Sequence, residues 1–176
     1  MGKVKNTEPS RRKTGVDVLG SIPWGMHVCL FYKTKEDLLS ILVPYFKAGL
    51  ESNEFCMWVT SEFLTAKTAE NEMRKAVPNF DDYLKRGQIE IVGHSRWYLK
   101  EGTIEPQRAL RAWNDKLNHA LTIGYAGMRI TGDTTWVEKS VWENFVDYEH
   151  QINEAIGGYR MVAICAYNLE KCTTSD

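Results

Sequence analysis

His27-Val28-Cys29-Leu30-Phe31-Tyr32-Lys33-Thr34-Lys35-Glu36-Asp37 is the stretch that decides the fold class. Its first six residues are apolar toward both faces, the pattern of a parallel strand covered on each side. Pro23 and Gly25 set this run off from the residues before it. Thr34 can then cap a helix, with Asp37 three residues later in the reciprocal position of a capping box. Leu38, Leu39, Leu42, Val43, Phe46 and Leu50 follow as a helical apolar stripe. Pro44 inside that stripe predicts a bend or one unpaired carbonyl. Strand, short turn and helix in this order begin a βα unit.

The same alternation continues outward. Apolar runs at 55–60, 88–92, 127–131 and 160–167 read as four further strands. Ser61 can cap the second helix, which Pro78 stops, and Asp81–Arg86 is a short helical piece closed by Gly87. Pro106 suits the first turn of a helix bearing Leu110, Trp113, Leu117 and Leu121, with Gly124 at its end. Ser140 and Glu143 read as a second capping box, before a helix with Val141, Phe145, Ile152 and Ile156 on one side. Five strands alternating with helices predict an α/β three-layer sandwich with a mostly parallel central sheet. Right-handed crossovers put all strand C-termini on one rim, and ligands in such folds bind there, near the switch in strand order. Residues 1–14, including Arg11-Arg12-Lys13, carry no periodicity and read as a flexible tail. The domain then covers 15–170, and 171–176 is a C-terminal tail.

Composition narrows the function classes. The chain has 176 residues, enough for one domain, with 43% apolar and 26% charged residues. A net charge of −1 gives no general attraction to nucleic acid or to an anionic membrane. No apolar run approaches the roughly 18–20 residues that span a bilayer, and no signal-peptide pattern opens the chain. Cys29, Cys56 and Cys165 sit in strand-like runs and Cys172 near the end, which is not a secreted disulfide framework. Reduced thiols in a cytoplasmic protein are the expectation.

The six Trp and eight Tyr gather near strand ends. The predicted rim holds Phe31 and Tyr32, then Thr60, Ser61 and Glu62, then His94, Trp97 and Tyr98. Gly132 to Trp136, Tyr167 and Asn168 complete it. Aromatic walls with a few polar groups describe a pocket for a small apolar ligand, or for a methylated cation held over ring faces. The alternative is that the rings fill core beneath the loops. Glu62 and Asp133 could pair as carboxylates there, or be solvated or helix-capping groups. Residues two apart on a strand share a face, so His27 and Cys29 lie side by side. They could offer two ligands to a transition metal, with Cys165 a third if its strand is adjacent, or a thiolate beside a base. Buried structural thiols are the plainer alternative. GxSxG, HExxH and GxGxxG are absent, so no catalytic residue is assigned.

Two families share these residues. Gly20-Ser21-Ile22-Pro23-Trp24-Gly25 resembles the lead-in to the phosphate loop of KaiC/RecA-like ATPases. Val59-Thr60-Ser61-Glu62 resembles the end of their second strand, where a catalytic glutamate sits. Where GxxxxGK[ST] belongs, however, Phe31 to Asp37 contains no glycine and two acidic residues. That implies a degenerate RecA/P-loop-like fold without a Walker A motif. A second resemblance covers about residues 15–170. Pro23-Trp24-Gly25-x-His27-x-Cys29-x-Phe31-Tyr32 and Asn53-Glu54-x-Cys56-x-Trp58-Val59-Thr60 are similar to the MEDS domain, the methanogen/methylotroph DcmR sensory domain. Gly132-Asp133-Thr134-Thr135-Trp136 and Cys165-Ala166-Tyr167 add to it.

This resemblance implies a sensor of simple one-carbon or hydrocarbon derivatives, methylated or halogenated, in prokaryotic signal transduction. It implies a central first strand and makes His27 and Cys29 candidate ligand contacts. The partner it implies is a histidine kinase or transcription-regulator output module, in cis or in trans. No such module is read in this sequence, so a piece of a larger regulatory protein or a stand-alone sensor is expected, with a homodimer among the assemblies. The full set of expected ligand-binding residues is His27, Cys29, Phe31, Tyr32, Glu62, Trp97, Asp133, Thr134, Trp136 and Tyr167. A transition metal at His27, Cys29 and Cys165 is the one cofactor suggested. A residual nucleotide-binding domain and a protein-interaction module with a vestigial pocket are the competing functions.

Overall fold

The computed structural model describes residues 10–100 and 103–171. Its strands are β1 (Arg11–Lys13), β2 (Ser21–Pro23), β3 (Met26–Tyr32), β4 (Phe55–Thr60), β5 (Ile89–Gly93), β6 (Leu99–Lys100), β7 (Thr103–Ile104), β8 (Met128–Asp133) and β9 (Met161–Asn168). Its α-helices are α1 (Lys35–Glu51), α2 (Ala66–Ala76), α3 (Phe80–Lys85), α4 (His94–Trp97), α5 (Pro106–Thr122) and α6 (Trp142–Ala155). The five long strands form one parallel sheet in the order β3-β9-β8-β4-β5. Helices cover both faces, as the alternation predicts. None of the described helices is long and apolar enough to cross a membrane.

Side-chain alternation builds the two cores. Cys56 and Trp58 of β4 and Val162, Ile164 and Ala166 of β9 face α1, α2 and α3. Phe55, Met57 and Val59, with Met161 and Ala163, face α5 and α6. The capping box of α1 forms as read: Asp37 N–H donates to Thr34 Oγ1 at 3.1 Å and Thr34 N–H to Asp37 Oδ2 at 2.9 Å. Helix α1 runs through Pro44 without a break. Gly15, at φ +79°, lies so close to the Pro44 carbonyl that a Cβ would overlap it.

Four expectations are corrected. The first strand is not central: β3 lies at the edge, because α1 carries the chain past two strand positions to β4, and β8 and β9 later fill the gap. Residues 11–14 do not behave as a tail. β1 pairs with β2, and the Arg12 guanidinium donates to Glu54 Oε1 at 2.8 Å and to the Ser52 carbonyl at 2.9 Å. Residues 1–9 lie outside the described residues. Ser61 does not cap α2, which starts later with Thr65 accepting from the Thr68 N–H; Ser61 is engaged by Asp133 instead. Ser140 and Glu143 form no capping box, since Lys139–Val141 winds as a 3₁₀ turn and α6 begins at Trp142 with no side chain on its first amides.

Candidate functional site

The parallel register brings five strand ends to one rim: Tyr32, Thr60, Gly93, Asp133 and Asn168. Chains leaving β4 continue toward β5, whereas those leaving β8 turn the other way to β9, so the strand order switches between β8 and β4. That crevice is where this architecture leaves room for a ligand. Asp133 is buried beneath it as a hydrogen-bond hub. Its Oδ1 accepts from the Tyr32 hydroxyl at 2.9 Å and the Thr135 N–H at 3.0 Å, and its Oδ2 from the Ser61 hydroxyl at 2.6 Å. Burial and the Asp133 charge push the Tyr32 hydroxyl far above the ordinary phenol range, so it stays a donor. One buried carboxylate thus ties together the ends of β3, β4 and β8.

At the same rim lies a cleft of about 450 Å³, bordered by Glu62, His94, Thr135, Trp136, Val141 and Lys171 among others. A second hollow of about 260 Å³ shares Glu62, Thr135, Trp136 and Lys171 and extends to Phe63 and Asn168. The wall is a stack of rings: Trp136 lies 5.3 Å from both His94 and Tyr98, nearly parallel to each. Tyr98 reaches its place because Gly132 has no side chain; a Cβ there would overlap the Tyr98 hydroxyl. Arg108 of α5 holds the corner by donating to the Tyr98 carbonyl at 2.6 Å. Burial lowers the basicity of His94 against the opposing pull of Glu62 and Asp133. Trp136 Nε1 and Thr135 Oγ1 are buried in this wall without hydrogen-bond partners among the described residues. Such groups cost about 1–3 kcal/mol each until something satisfies them.

A second cluster lies on the other side of β3 and β9, beneath α6. His27 Nε2 is 3.1 Å from Cys165 Sγ, and the Cys165 thiol donates to Glu149 Oε1 at 3.2 Å. Tyr167 donates its hydroxyl to Glu149 Oε2 at 2.9 Å, and His27 Nε2 is 3.5 Å from the same oxygen. Burial and the Glu149 charge push the Cys165 thiol well above its ordinary range. His27, Glu149 and Cys165 offer donor atoms all within 4.8 Å of one another, an arrangement able to hold a metal. Cys29 is the register partner of Cys165 but is exposed and outside this group.

The sequence model of the MEthanogen/methylotroph, DcmR Sensory domain matches residues 26–176. This chain belongs to the MEDS family. The MEDS family is one of sensory domains, which sets the general role. No curated protein matches the chain. Among solved structures it is similar to a KaiC-like protein from the hyperthermophilic archaeon Pyrococcus horikoshii OT3, at 20% identity and a TM-score of 0.62. That likeness covers 91% of this chain and 70% of the other. It places the MEDS domain in the RecA-like fold. The start of α1 differs from a phosphate cradle in a physical way: the Lys33 and Thr34 amides both donate to Asp37 Oδ2, at 3.2 and 2.9 Å. A carboxylate of the chain itself occupies the amides that a phosphate would need.

The MEDS domain divides the residues expected to form one site. Glu62 and Trp136 line the rim clefts, Tyr32 and Asp133 are bonded to each other in the buried layer beneath, and Thr134 bonds the Ala166 carbonyl. Trp97 is turned away, 4.4 Å from Trp113 in the core between sheet and α5. His27 and Tyr167 belong to the cluster under α6, with Cys29 beside it. Phe31 is 59% exposed and stacks on Tyr167, outside the rim clefts. Glu149 was not singled out from the sequence, though a signal exists. It falls four residues after Phe145 and three before Ile152, so helical spacing sets a carboxylate on the buried stripe of α6.

Proposed function

We propose that this MEDS domain is the ligand-binding part of a prokaryotic signalling protein, and that it binds its ligand without transforming it. The ligand is a small methylated or halogenated one-carbon or hydrocarbon derivative, seated in the rim crevice between β8 and β4. The observation that carries this reading is the crevice itself: a cleft of about 450 Å³ at the strand-order switch, walled by Trp136 and His94. The Trp136 ring face suits methyl and halogen groups, and the otherwise mostly polar lining, with the exposed Glu62, suits a methylated cation. The loop from Thr134 to Val141 carries much of the wall, so a bound ligand changes the position of a surface segment that an output module can read. The output module, a histidine kinase or a transcription regulator, is part of this proposal.

Titration calorimetry and tryptophan fluorescence with methylamines, methanethiol and halomethanes test it. A member of these classes is expected to bind with a dissociation constant in the millimolar range or tighter and to change the Trp136 emission. Trp136→Leu is expected to weaken that binding about tenfold or more, roughly 1.4 kcal/mol. Absence of binding across all these classes, or binding unaffected by Trp136→Leu in a folded protein, overturns the proposal.

A further inference from the structure

We infer that His27, Cys165 and Glu149 form a binding site for a thiophilic divalent metal of the zinc class, separate from the rim crevice. The three donors come from three elements: β3, the neighbouring β9 and the covering α6. In a tetrahedral zinc site, bonds of about 2.0–2.1 Å to nitrogen, 2.3 Å to sulfur and 2.0–2.2 Å to oxygen set donors roughly 3.3–3.7 Å apart. Here His27 Nε2 is 3.1 Å from Cys165 Sγ, Cys165 Sγ is 3.2 Å from Glu149 Oε1, and His27 Nε2 is 3.5 Å from the other carboxylate oxygen, Oε2, with one donor atom of each residue within 4.8 Å of the others. A small turn of the Glu149 carboxylate that brings one oxygen toward both His27 and Cys165 therefore converts a hydrogen-bonded cluster into a coordination shell.

Charge points the same way. The Glu149 side chain is only 16% exposed, and among the described residues no Lys or Arg is ion-paired to it. A neutral imidazole, a thiolate and a carboxylate together carry −2, which a divalent cation balances. Binding releases the Cys165 proton to solvent as the metal–sulfur bond forms. The mixed nitrogen, sulfur and oxygen set favours zinc over magnesium or calcium, which prefer oxygen alone. Tyr167, bonded to the second oxygen of Glu149, orients that ligand from outside the shell. Three protein ligands leave a fourth position for water or an exogenous donor.

Cobalt substitution tests this on the whole chain without any rim ligand. Co²⁺ is expected to bind at one ion per chain, with a thiolate-to-cobalt charge-transfer band in the near ultraviolet that Zn²⁺ abolishes by displacement. Cys165→Ser is expected to remove the band and Cys29→Ser to leave it. Tyr167→Phe is expected to weaken the metal by about 10–100-fold while the band persists. Circular dichroism on each variant separates loss of the site from loss of the fold. His27→Gln serves as the second ligand variant where Cys165→Ser does not fold. No stoichiometric cobalt binding, or a band that survives Cys165→Ser and disappears in Cys29→Ser, overturns the assignment.

Discussion

His94 shows how much a single residue contributes at the rim. It is 8% exposed, stacked on Trp136, and burial lowers its proton affinity. A histidine whose folded pKa lies below its unfolded value binds fewer protons in the native state than in the unfolded one. Stability is then complete above the unfolded pKa near 6.5 and declines as pH falls through the depressed folded value. Thermal melts of the wild-type protein are expected to show a lower Tm at pH 5 than at pH 7.5. His94→Gln is expected to shrink that difference, since glutamine carries no proton to gain. An unchanged pH dependence in the variant would place the titrating group elsewhere. From the sequence, His94 could be placed just beyond a strand end. Its stacking on Trp136 could not be read, because Trp136 arrives from β8, two strands away in the sheet.

Elements were legible where their signals are local. The Thr34–Asp37 box, Pro106 at the first turn of α5 and Gly124 at its end, with φ +97°, all lie within a few residues of what they control. The anchoring of β1 and β2 has no local signal. Arg129, 1% exposed in β8, donates to Glu54 Oε2 at 2.7 Å and to the carbonyls of Lys13, Thr14 and Tyr45. Glu54 is fully buried and also receives Arg12. The partners are 75 residues apart, so no window of sequence connects them. Glu54→Leu leaves a buried guanidinium without its counter-charge and is expected to cost about 3–5 kcal/mol. For a chain of this size that lowers Tm by roughly 6–20 °C. Arg12→Ala, at the more exposed end of the network, is expected to cost about 1 kcal/mol or less. Equal losses in both variants would show that the hairpin contacts, and not the buried pair, hold this region.

For the whole molecule, periodicity foretold the parallel sheet, its two helical layers and the rim, but strand order decides which rim residues meet. His27, Cys165 and Tyr167 gather apart from Tyr32, Asp133 and Trp136, although β3 carries a member of each group and Thr134, at the start of the rim loop, is bonded to β9. These connections give the proposed metal and rim sites a mechanical link. Cys165 and Tyr167 flank Ala166, whose carbonyl accepts both the amide and the hydroxyl of Thr134, the first residue of the rim loop. Five residues beyond His27 on β3, Tyr32 donates to the buried Asp133 beneath the rim. A shift of a few tenths of an ångström in β3 and β9 on metal binding therefore reaches both this buried hub and the loop that walls the crevice. Coupling of this kind is reciprocal and typically 5–150-fold, about 1–3 kcal/mol. Titrating a rim ligand into metal-free and zinc-loaded protein is expected to give dissociation constants that differ by a factor in that range. Zinc affinity is expected to change by the same factor when the rim is saturated. Identical ligand affinities in the two forms would mean that β3 and β9 are too stiff to relay the shift, and that the two sites act independently.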